Sequence, residues 1–558
     1  MKDNTLNILI AGEAGQGLAT VGPALSRSLV RAGYYLHVSQ TYESRVRGGH
    51  NTFAIRTHHQ PCPAPGSQVD ILVAFNQHTI ELHASQLTPK GFIISDDKLA
   101  AHSQRHIRVP VASLGKNLHL NTIMLAAVGA LLGLREDNLA ASLQLEFEKL
   151  SQQVLEENLV SLHNAFQWTI EQKLEFEILA KAPFPANHNL MLDGNQGIAL
   201  GAMAAGLKFC SFYPMSPGTS ISLNIADAAP KLGIVVEQAE DELAAINMAI
   251  GASYAGARAM VASSGGGFAL MCEGISLAGM VETPLVVAIA MRPGPATGLP
   301  TRTEQADLNL ALYAGHGEFP RAIFAPANPA QCVELTMHAF DLAEKYQSPI
   351  FVLTDQYLTD CFSNVAPFTF KQPVPLAQKI ASQDDNPDYQ RFALTSSGVS
   401  PRVLPGLGKT LAISDSDEHD LNGYLTEDLL LRVKMQDKRM RKLNGLLEDF
   451  LPPVFSGAQQ PELLLCCWGS SLGAVQEASR LLGEDKVGVC HFPQVYPLDP
   501  AAFLPKLQAA KKVVMVESNY SGQMARLLYA ESGFKVHGHV LRYDGLALSA
   551  QYIMQHLN

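Results

Sequence analysis

Between residues 233 and 271 the chain passes from a short apolar strand into three consecutive acids, Glu240, Asp241 and Glu242. A helix of small residues follows over 243–257, then a second apolar strand over 258–262, then Ser263-Ser264-Gly265-Gly266-Gly267. Two strands joined by a helix at this spacing run parallel in one sheet, so the stretch predicts an α/β fold. It also puts carboxylates at a strand-to-helix turn, the side of such sheets where ligands bind. Burying a carboxylate there raises its pKa and lets it share a proton with a partner. An acid in the first turn of a helix is also favoured by the helix dipole, by under about 1 kcal/mol. Both roles are open to the three acids on this pattern alone.

The same alternation recurs along the chain. Asn7-Ile8-Leu9-Ile10 leads through a glycine-rich turn (Gly12, Gly15, Gly17) into a helix pattern over 19–33. Strands are predicted over 71–75 and 91–95 and helices over 121–134 and 139–153, which indicates a parallel α/β unit over residues 1–180. The segment 181–189, KAPFPANHN, reads as a linker. A second α/β unit is expected over 190–365. Residues 366–455 connect, with a charged helix over 429–447, and a third α/β unit spans 456–558. A length of 558 residues suits three or four such units at roughly 150 residues each.

Composition narrows the classes. A net charge of -11 argues against a nucleic-acid-binding surface over the whole chain. The longest apolar run, residues 122–134, is short of the ~20 residues a membrane-spanning helix needs. The N-terminus reads as a first strand without signal-peptide character. None of the eight cysteines forms a C-x-x-C pair, so no iron–sulfur or zinc ligand set is expected on this chain. They read as small core residues in a reducing cytoplasm.

Several turns carry candidate chemistry. Gly12-x-x-Gly15-x-Gly17 either holds a phosphate at a helix N-terminus or is a tight packing turn. Arg45-Val46-Arg47-Gly48-Gly49 either grips an anion or is a solvated turn. Tyr213-Pro214-Met215-Ser216-Pro217-Gly218-Thr219-Ser220 precedes a helix that it either caps or extends with an oxygen-binding turn. Arg292 ends the strongest predicted strand, 284–290, where an arginine can take a carboxylate with two hydrogen bonds. The polar loop after it, Gly298-Leu299-Pro300-Thr301-Arg302-Thr303-Glu304-Gln305, suits the cover of a site.

Together these motifs, in order, resemble the 2-oxoacid:ferredoxin oxidoreductases, in the form with a gamma-type domain fused ahead of the alpha subunit. The resemblance also covers Asp417-Glu418-His419-Asp420, Arg432-Val433-Lys434-Met435, Cys467-Trp468-Gly469-Ser470 and residues 516–523, VESNYSGQ. It implies a gamma-type domain over 1–180, a thiamine diphosphate pyrimidine-binding domain over 190–365 and a transketolase C-terminal-like domain over 456–558. Glu240 matches the glutamate that hydrogen-bonds the aminopyrimidine ring, with Asp241 and Glu242 left as first-turn acids. Pro214, Ser263 and Ser264 fall with it at the cofactor. Ser216, Arg292 and Thr301 fall at the substrate, Arg292 on its carboxylate. Gly15, Gly17, Arg45 and Arg47 fall in the domain implicated in coenzyme A binding.

The resemblance further implies oxidative decarboxylation of a 2-oxoacid to its acyl-CoA, with electrons passed to ferredoxin. The loop GLPTRTEQADL is closer to the 2-oxoglutarate subgroup, giving succinyl-CoA, than to the pyruvate enzymes. Pyruvate or branched-chain specificity is the alternative, and a nucleotide-dependent oxidoreductase built on the Gly12 turn is a further one. The GDG…N sequence that binds diphosphate and Mg²⁺ is absent. A beta subunit is therefore expected to bring it, together with a [4Fe–4S] cluster, in a cytoplasmic heterotetramer.

Overall fold

The computed structural model describes residues 5–43, 48–66, 68–102, 105–148, 150–174, 188–370 and 388–557. The chain divides into two compact units, Met1–Leu192 with Asp360–Phe368, and Asp193–Thr359 with Thr369–Asn558.

The first unit is built on an eight-stranded sheet. Its order is His106–Val109, Leu87–Asp96, Val69–Ala74, Leu6–Ala14, Gly48–His58, Tyr35–Thr41, Phe362–Val365 and Leu190–Leu192. The first four strands are parallel, as the sequence pattern predicts. The other half is antiparallel. The expectation of a purely parallel sheet is corrected here, and the reason is local. Residues 42–47 are too few for the crossover helix that parallel neighbours need, so Tyr35–Thr41 and Gly48–His58 pair as antiparallel neighbours. The loop expected around Gly48 and Gly49 is therefore the start of a long strand. Phe362–Val365, read from sequence as the end of the 190–365 stretch, also adds to this sheet.

Strand Leu6–Ala14 shows how the two faces are filled. Ile8 and Ile10 enter one buried cluster with Leu25, Leu29, Ile123 and Val128 from the covering helices. Leu9 and Ala11 enter another, with Leu72, Ile80 and Ile93. The period of two divides the strand between two cores. Gly15 and Gly17 have φ of 94° and 87°, a left-handed backbone that glycine adopts without strain and that turns this strand into the helix Leu18–Arg31.

The second unit contains two sheets. The seven-stranded sheet has the order Gln494–Tyr496, Ala322–Phe324, Pro349–Asp355, Leu285–Met291, Ala259–Ser263, Phe209–Phe212 and Val235–Gln238. All its strands are parallel except the first. The five-stranded sheet has the order Val454–Gly457, Val487–Phe492, Leu463–Trp468, Lys512–Glu517 and Gly538–Leu541, again parallel except for its first strand. Gln494–Tyr496 leaves the smaller sheet and pairs with the larger, and one buried cluster holds Val287 and Phe351 with Leu464 and Cys490. The two sheets therefore share a core. Fully buried runs such as Leu285–Met291 are continuous apolar sequence, because helices cover both faces.

Candidate active site at the ends of the parallel strands

Four neighbouring strands of the larger sheet end in the turns that the sequence singles out. Phe209–Phe212 leads to the Tyr213–Gly218 turn and the helix Thr219–Leu232. Val235–Gln238 leads to the three acids and the helix Glu242–Tyr254. Ala259–Ser263 leads to Ser264 and the helix Gly265–Leu270, and Leu285–Met291 ends at Arg292. All four turns lie at carboxyl ends of adjacent strands, where parallel sheets bind ligands.

The three acids separate clearly. Glu240 is exposed. Asp241 is the N-cap of its helix, its carboxylate accepting the Ala244 N–H at 2.7 Å. Glu242 is 3% exposed, and its Oε1 is buried without a hydrogen-bond partner among the described residues. Of the three acids, the buried one is therefore Glu242, not the Glu240 that the resemblance selects. The cause is helical phase: with Asp241 as cap, Glu242 opens the helix on the same face as Ala245, Ile246, Ala249, Ile250 and Ser253, all buried. These lie 3, 4, 7, 8 and 11 residues on, the spacing of one helix face. That spacing was a signal available in the sequence.

Around Glu242 the hydroxyls are in the same condition. Ser263 is 1% exposed and Ser264 0%, and neither Oγ has a hydrogen-bond partner among the described residues. Ser264 is the N-cap of Gly265–Leu270 without its side chain capping it. A Cβ on Gly267 would collide with Ser263 Oγ and lie 2.6 Å from Glu242 Oε1. Glycine is thus what allows the carboxylate and the hydroxyl to approach the helix together. Leaving such groups unpaired costs about 1–3 kcal/mol each, more for a charge. A cluster of them marks a place prepared for a polar partner.

The Tyr213–Gly218 turn closes on this cluster. A Cβ on Gly218 would stand 2.7 Å from the Ser263 carbonyl oxygen. The Ser216 carbonyl accepts a hydrogen bond from Arg292 Nη1 at 2.6 Å, and Pro214 and Ser216 are exposed. Arg292 is half-buried, and burial lowers its pKa against the opposing pull of Asp307. Thr301 is half-buried in the loop beyond it. Two acids on that loop were not singled out from sequence. Burial pushes the Asp307 carboxyl up to about 6 against the pull of Arg292, and burial with Asp307 pushes Glu304 up to about 7. The structure thus brings Glu242, Ser263, Ser264, Ser216 and Arg292 to one set of strand ends and leaves Glu240 on the surface.

In the first unit, Gly15 and Gly17 form the left-handed turn before the helix Leu18–Arg31. Arg45 and Arg47 lie outside the described residues. Among the described residues no group of three or more His, Cys, Asp or Glu side chains is placed to hold a metal ion.

The comparisons agree along the chain. Residues 200–437 match the family described as pyruvate flavodoxin/ferredoxin oxidoreductase, thiamine diP-bdg. Residues 7–168 match pyruvate ferredoxin/flavodoxin oxidoreductase. The 2-oxoacid:ferredoxin oxidoreductase subunit alpha of Saccharolobus solfataricus is 30% identical, over 96% of this chain and 95% of its own length. The 2-oxoglutarate synthase subunit KorA of Archaeoglobus fulgidus is 34% identical, over 60% of this chain and 89% of its own. Among solved structures, the 2-oxoglutarate:ferredoxin oxidoreductase of Magnetococcus marinus, with 2-oxoglutarate, coenzyme A and succinyl-CoA bound, superposes with a TM-score of 0.89. It is 29% identical and covers 99% of this chain and 98% of its own. The fold and the site define a multidomain α/β oxidoreductase subunit. The chain belongs to the 2-oxoacid:ferredoxin oxidoreductase family, as an alpha subunit.

Proposed function

We propose that this subunit takes part in the oxidative decarboxylation of a 2-oxoacid, 2-oxoglutarate to succinyl-CoA, with thiamine diphosphate as cofactor and ferredoxin as electron acceptor. The observation that carries the reading is the buried carboxylate of Glu242, with an oxygen that, like two nearby serine hydroxyls, has no hydrogen-bond partner among the described residues. The donor set fits an aminopyrimidine ring, whose ring nitrogen hydrogen-bonds a carboxylate and whose amino group needs an acceptor. Glu242 then takes the place that the sequence resemblance assigned to Glu240, its buried carboxylate accepting a hydrogen bond from the ring nitrogen. Ser263 and Ser264 give their hydroxyls to the same ring, and Pro214 stiffens the turn over it. When bound, thiamine diphosphate supplies the carbon nucleophile and electron sink that decarboxylation of a 2-oxoacid requires.

Arg292 supplies the positive charge for the 2-oxoacid carboxylate, with one N–H fixed on the Ser216 carbonyl and the others directed to substrate. Ser216 and Thr301 line the same end. The 2-oxoglutarate specificity is supported by the relatives named 2-oxoglutarate synthase and by the structure solved with that substrate. Coenzyme A is assigned to the first unit, at the Gly15–Gly17 turn, with Arg45 and Arg47 as its anion contacts. The absent GDG…N sequence assigns the diphosphate and Mg²⁺ to a beta subunit, which also carries a [4Fe–4S] cluster, in a cytoplasmic heterotetramer.

The test is the assembled complex with Glu242→Gln and, separately, Glu240→Gln, assayed by 2-oxoacid-dependent reduction of a viologen dye. The expected result is a loss of about 100-fold or more for Glu242→Gln and near-wild-type activity for Glu240→Gln. The opposite pattern returns the role to Glu240, and full activity in both removes the reading.

A further inference from the structure

Two sequence motifs have no part in the site so far: residues 467–470, CWGS, and residues 516–523, VESNYSGQ. Both sit at the ends of neighbouring strands of the five-stranded sheet, Leu463–Trp468 and Lys512–Glu517. Both grip the loop that follows Arg292. Gln305 is fully buried, and each of its polar groups is taken by that sheet. Its Nε2 donates to the Trp468 carbonyl at 2.9 Å. Its Oε1 accepts from Ser471 Oγ at 3.0 Å and from the Ser518 N–H at 2.9 Å. Its own N–H donates to the Ser518 carbonyl at 2.6 Å, and Asn519 Nδ2 donates to its carbonyl at 3.3 Å. Glu517 holds the receiving loop in shape, accepting from Trp468 Nε1, Asn519 Nδ2 and the N–H groups of Met524 and Ala525.

Two residues earlier the loop is held a second time, by Asp355 at the end of a strand of the larger sheet and by the backbone after the last strand of the smaller one. Thr303 is 5% exposed; its N–H donates to the Gly545 carbonyl at 3.2 Å, and its hydroxyl donates to Asp355 Oδ1 at 3.2 Å. Asp355 in turn accepts from Ser470 Oγ. Thr303 and Gln305 are therefore anchored, while the alternate residues Arg302, Glu304 and Ala306 remain half-buried. Side chains that alternate in an extended segment leave on opposite sides. Anchoring one set fixes the other.

We propose that Thr303 and Gln305 are positioning residues through which the five-stranded sheet, together with Asp355 of the larger sheet, sets the place of the substrate loop, and with it the fit of the 2-oxoacid side chain. The inference rests on the reading that Arg292 and this loop receive the 2-oxoacid. The loop is thus a fixed wall, bolted at two points, and the C-terminal sheet shapes a site whose cofactor groups all stand on the other sheet.

The test uses the assembled complex with Gln305→Met, Ser471→Ala, Thr303→Val and Thr303→Ser, assayed with 2-oxoglutarate and with pyruvate. Gln305→Met and Thr303→Val are expected to raise KM for 2-oxoglutarate about tenfold and to narrow its kcat/KM preference over pyruvate. Thr303→Ser, which keeps the hydroxyl, is expected to restore both. Ser471→Ala removes a single bond from outside the loop and carries the test if Gln305→Met fails to fold; a rise of about threefold in KM with kcat held within about twofold is expected. Unchanged KM and unchanged preference in Ser471→Ala and Thr303→Val overturn the proposal. A fall in kcat alone, with KM and preference intact, also overturns it. Arg292→Ala in the same series separates the two readings: if it raises KM while the anchor variants do not, only the positioning role fails. If it leaves KM unchanged, the site assignment fails and this inference with it.

Discussion

Three acids in a row are a small problem with a clear physical answer. Glu240, Asp241 and Glu242 have similar chemistry, yet one is exposed, one caps a helix and one is buried beside hydroxyls that have no hydrogen-bond partner among the described residues. The difference is set by where the helix begins, which Asp241 decides. The second acidic pair gives a further prediction. Burial raises the carboxyls of Glu304 and Asp307 to about 7 and about 6; as pH rises through those values Asp307 gains a negative charge beside Arg292, and Glu304 one beside Asp307. At the proposed site a 2-oxoacid anion would compete with the Asp307 charge for the arginine, so KM for the 2-oxoacid is expected to rise about tenfold as pH goes from about 5.5 to about 8. Asp307→Asn should flatten the rise, as a KM–pH profile would read directly. The same shifts bear on stability with a definite sign. Folded values above the unfolded ones mean that the pair's contribution is present in full below about pH 4 and is lost as pH rises through about 6 and 7.

At the scale of elements, the charged helix expected over 429–447 forms over Leu429–Glu448, with a packing that its charge pattern does not reveal. Lys438 and Lys442 are buried, 0% and 1% exposed, on one face of it. Both meet Glu282, itself fully buried, at 2.7 and 2.5 Å. Burial alone would raise the Glu282 carboxyl; Lys442, Lys438 and Arg391 overcome it and hold it well below the usual carboxylate range. Burial pulls Lys442 down to about 7 against Glu282. Removing one partner of such a cluster strands the others, so Glu282→Ala is expected to cost about 3–5 kcal/mol in denaturant unfolding. Replacing Glu282, Lys438 and Lys442 together by Leu, Met and Met should recover most of that loss. The charged residues of this helix were legible in the sequence, but their burial was not, because the acid that pairs them lies in a turn some 150 residues earlier.

For the whole molecule, the residues proposed to hold the cofactor, Glu242, Ser263 and Ser264, stand on the second unit, and the GDG…N sequence is missing. The isolated chain is therefore expected to show no 2-oxoacid-dependent dye reduction at any thiamine diphosphate concentration. Activity should appear on adding a second chain that carries GDG…N and closely spaced cysteines, and copurification would identify that chain. No helix among the described residues is long and apolar enough to cross a membrane.

Local pattern was enough for the α/β class, for the turns at the strand ends and for Arg292 after its strand, because strand period, helix period and glycine turns are properties of neighbours in the chain. Even Glu242 was within reach, since its place on the buried helix face follows from spacing. Other features depended on tertiary structure. The antiparallel half of the first sheet, the Glu282 cluster and the anchoring of Thr303 and Gln305 all join segments far apart in sequence. The three acids of residues 240–242 could be told apart by counting along one helix. What holds Gln305 in the loop after Arg292 could not, because its hydrogen bonds come from strand ends more than 150 residues away, and only the packing of two sheets on a shared core brings them into reach.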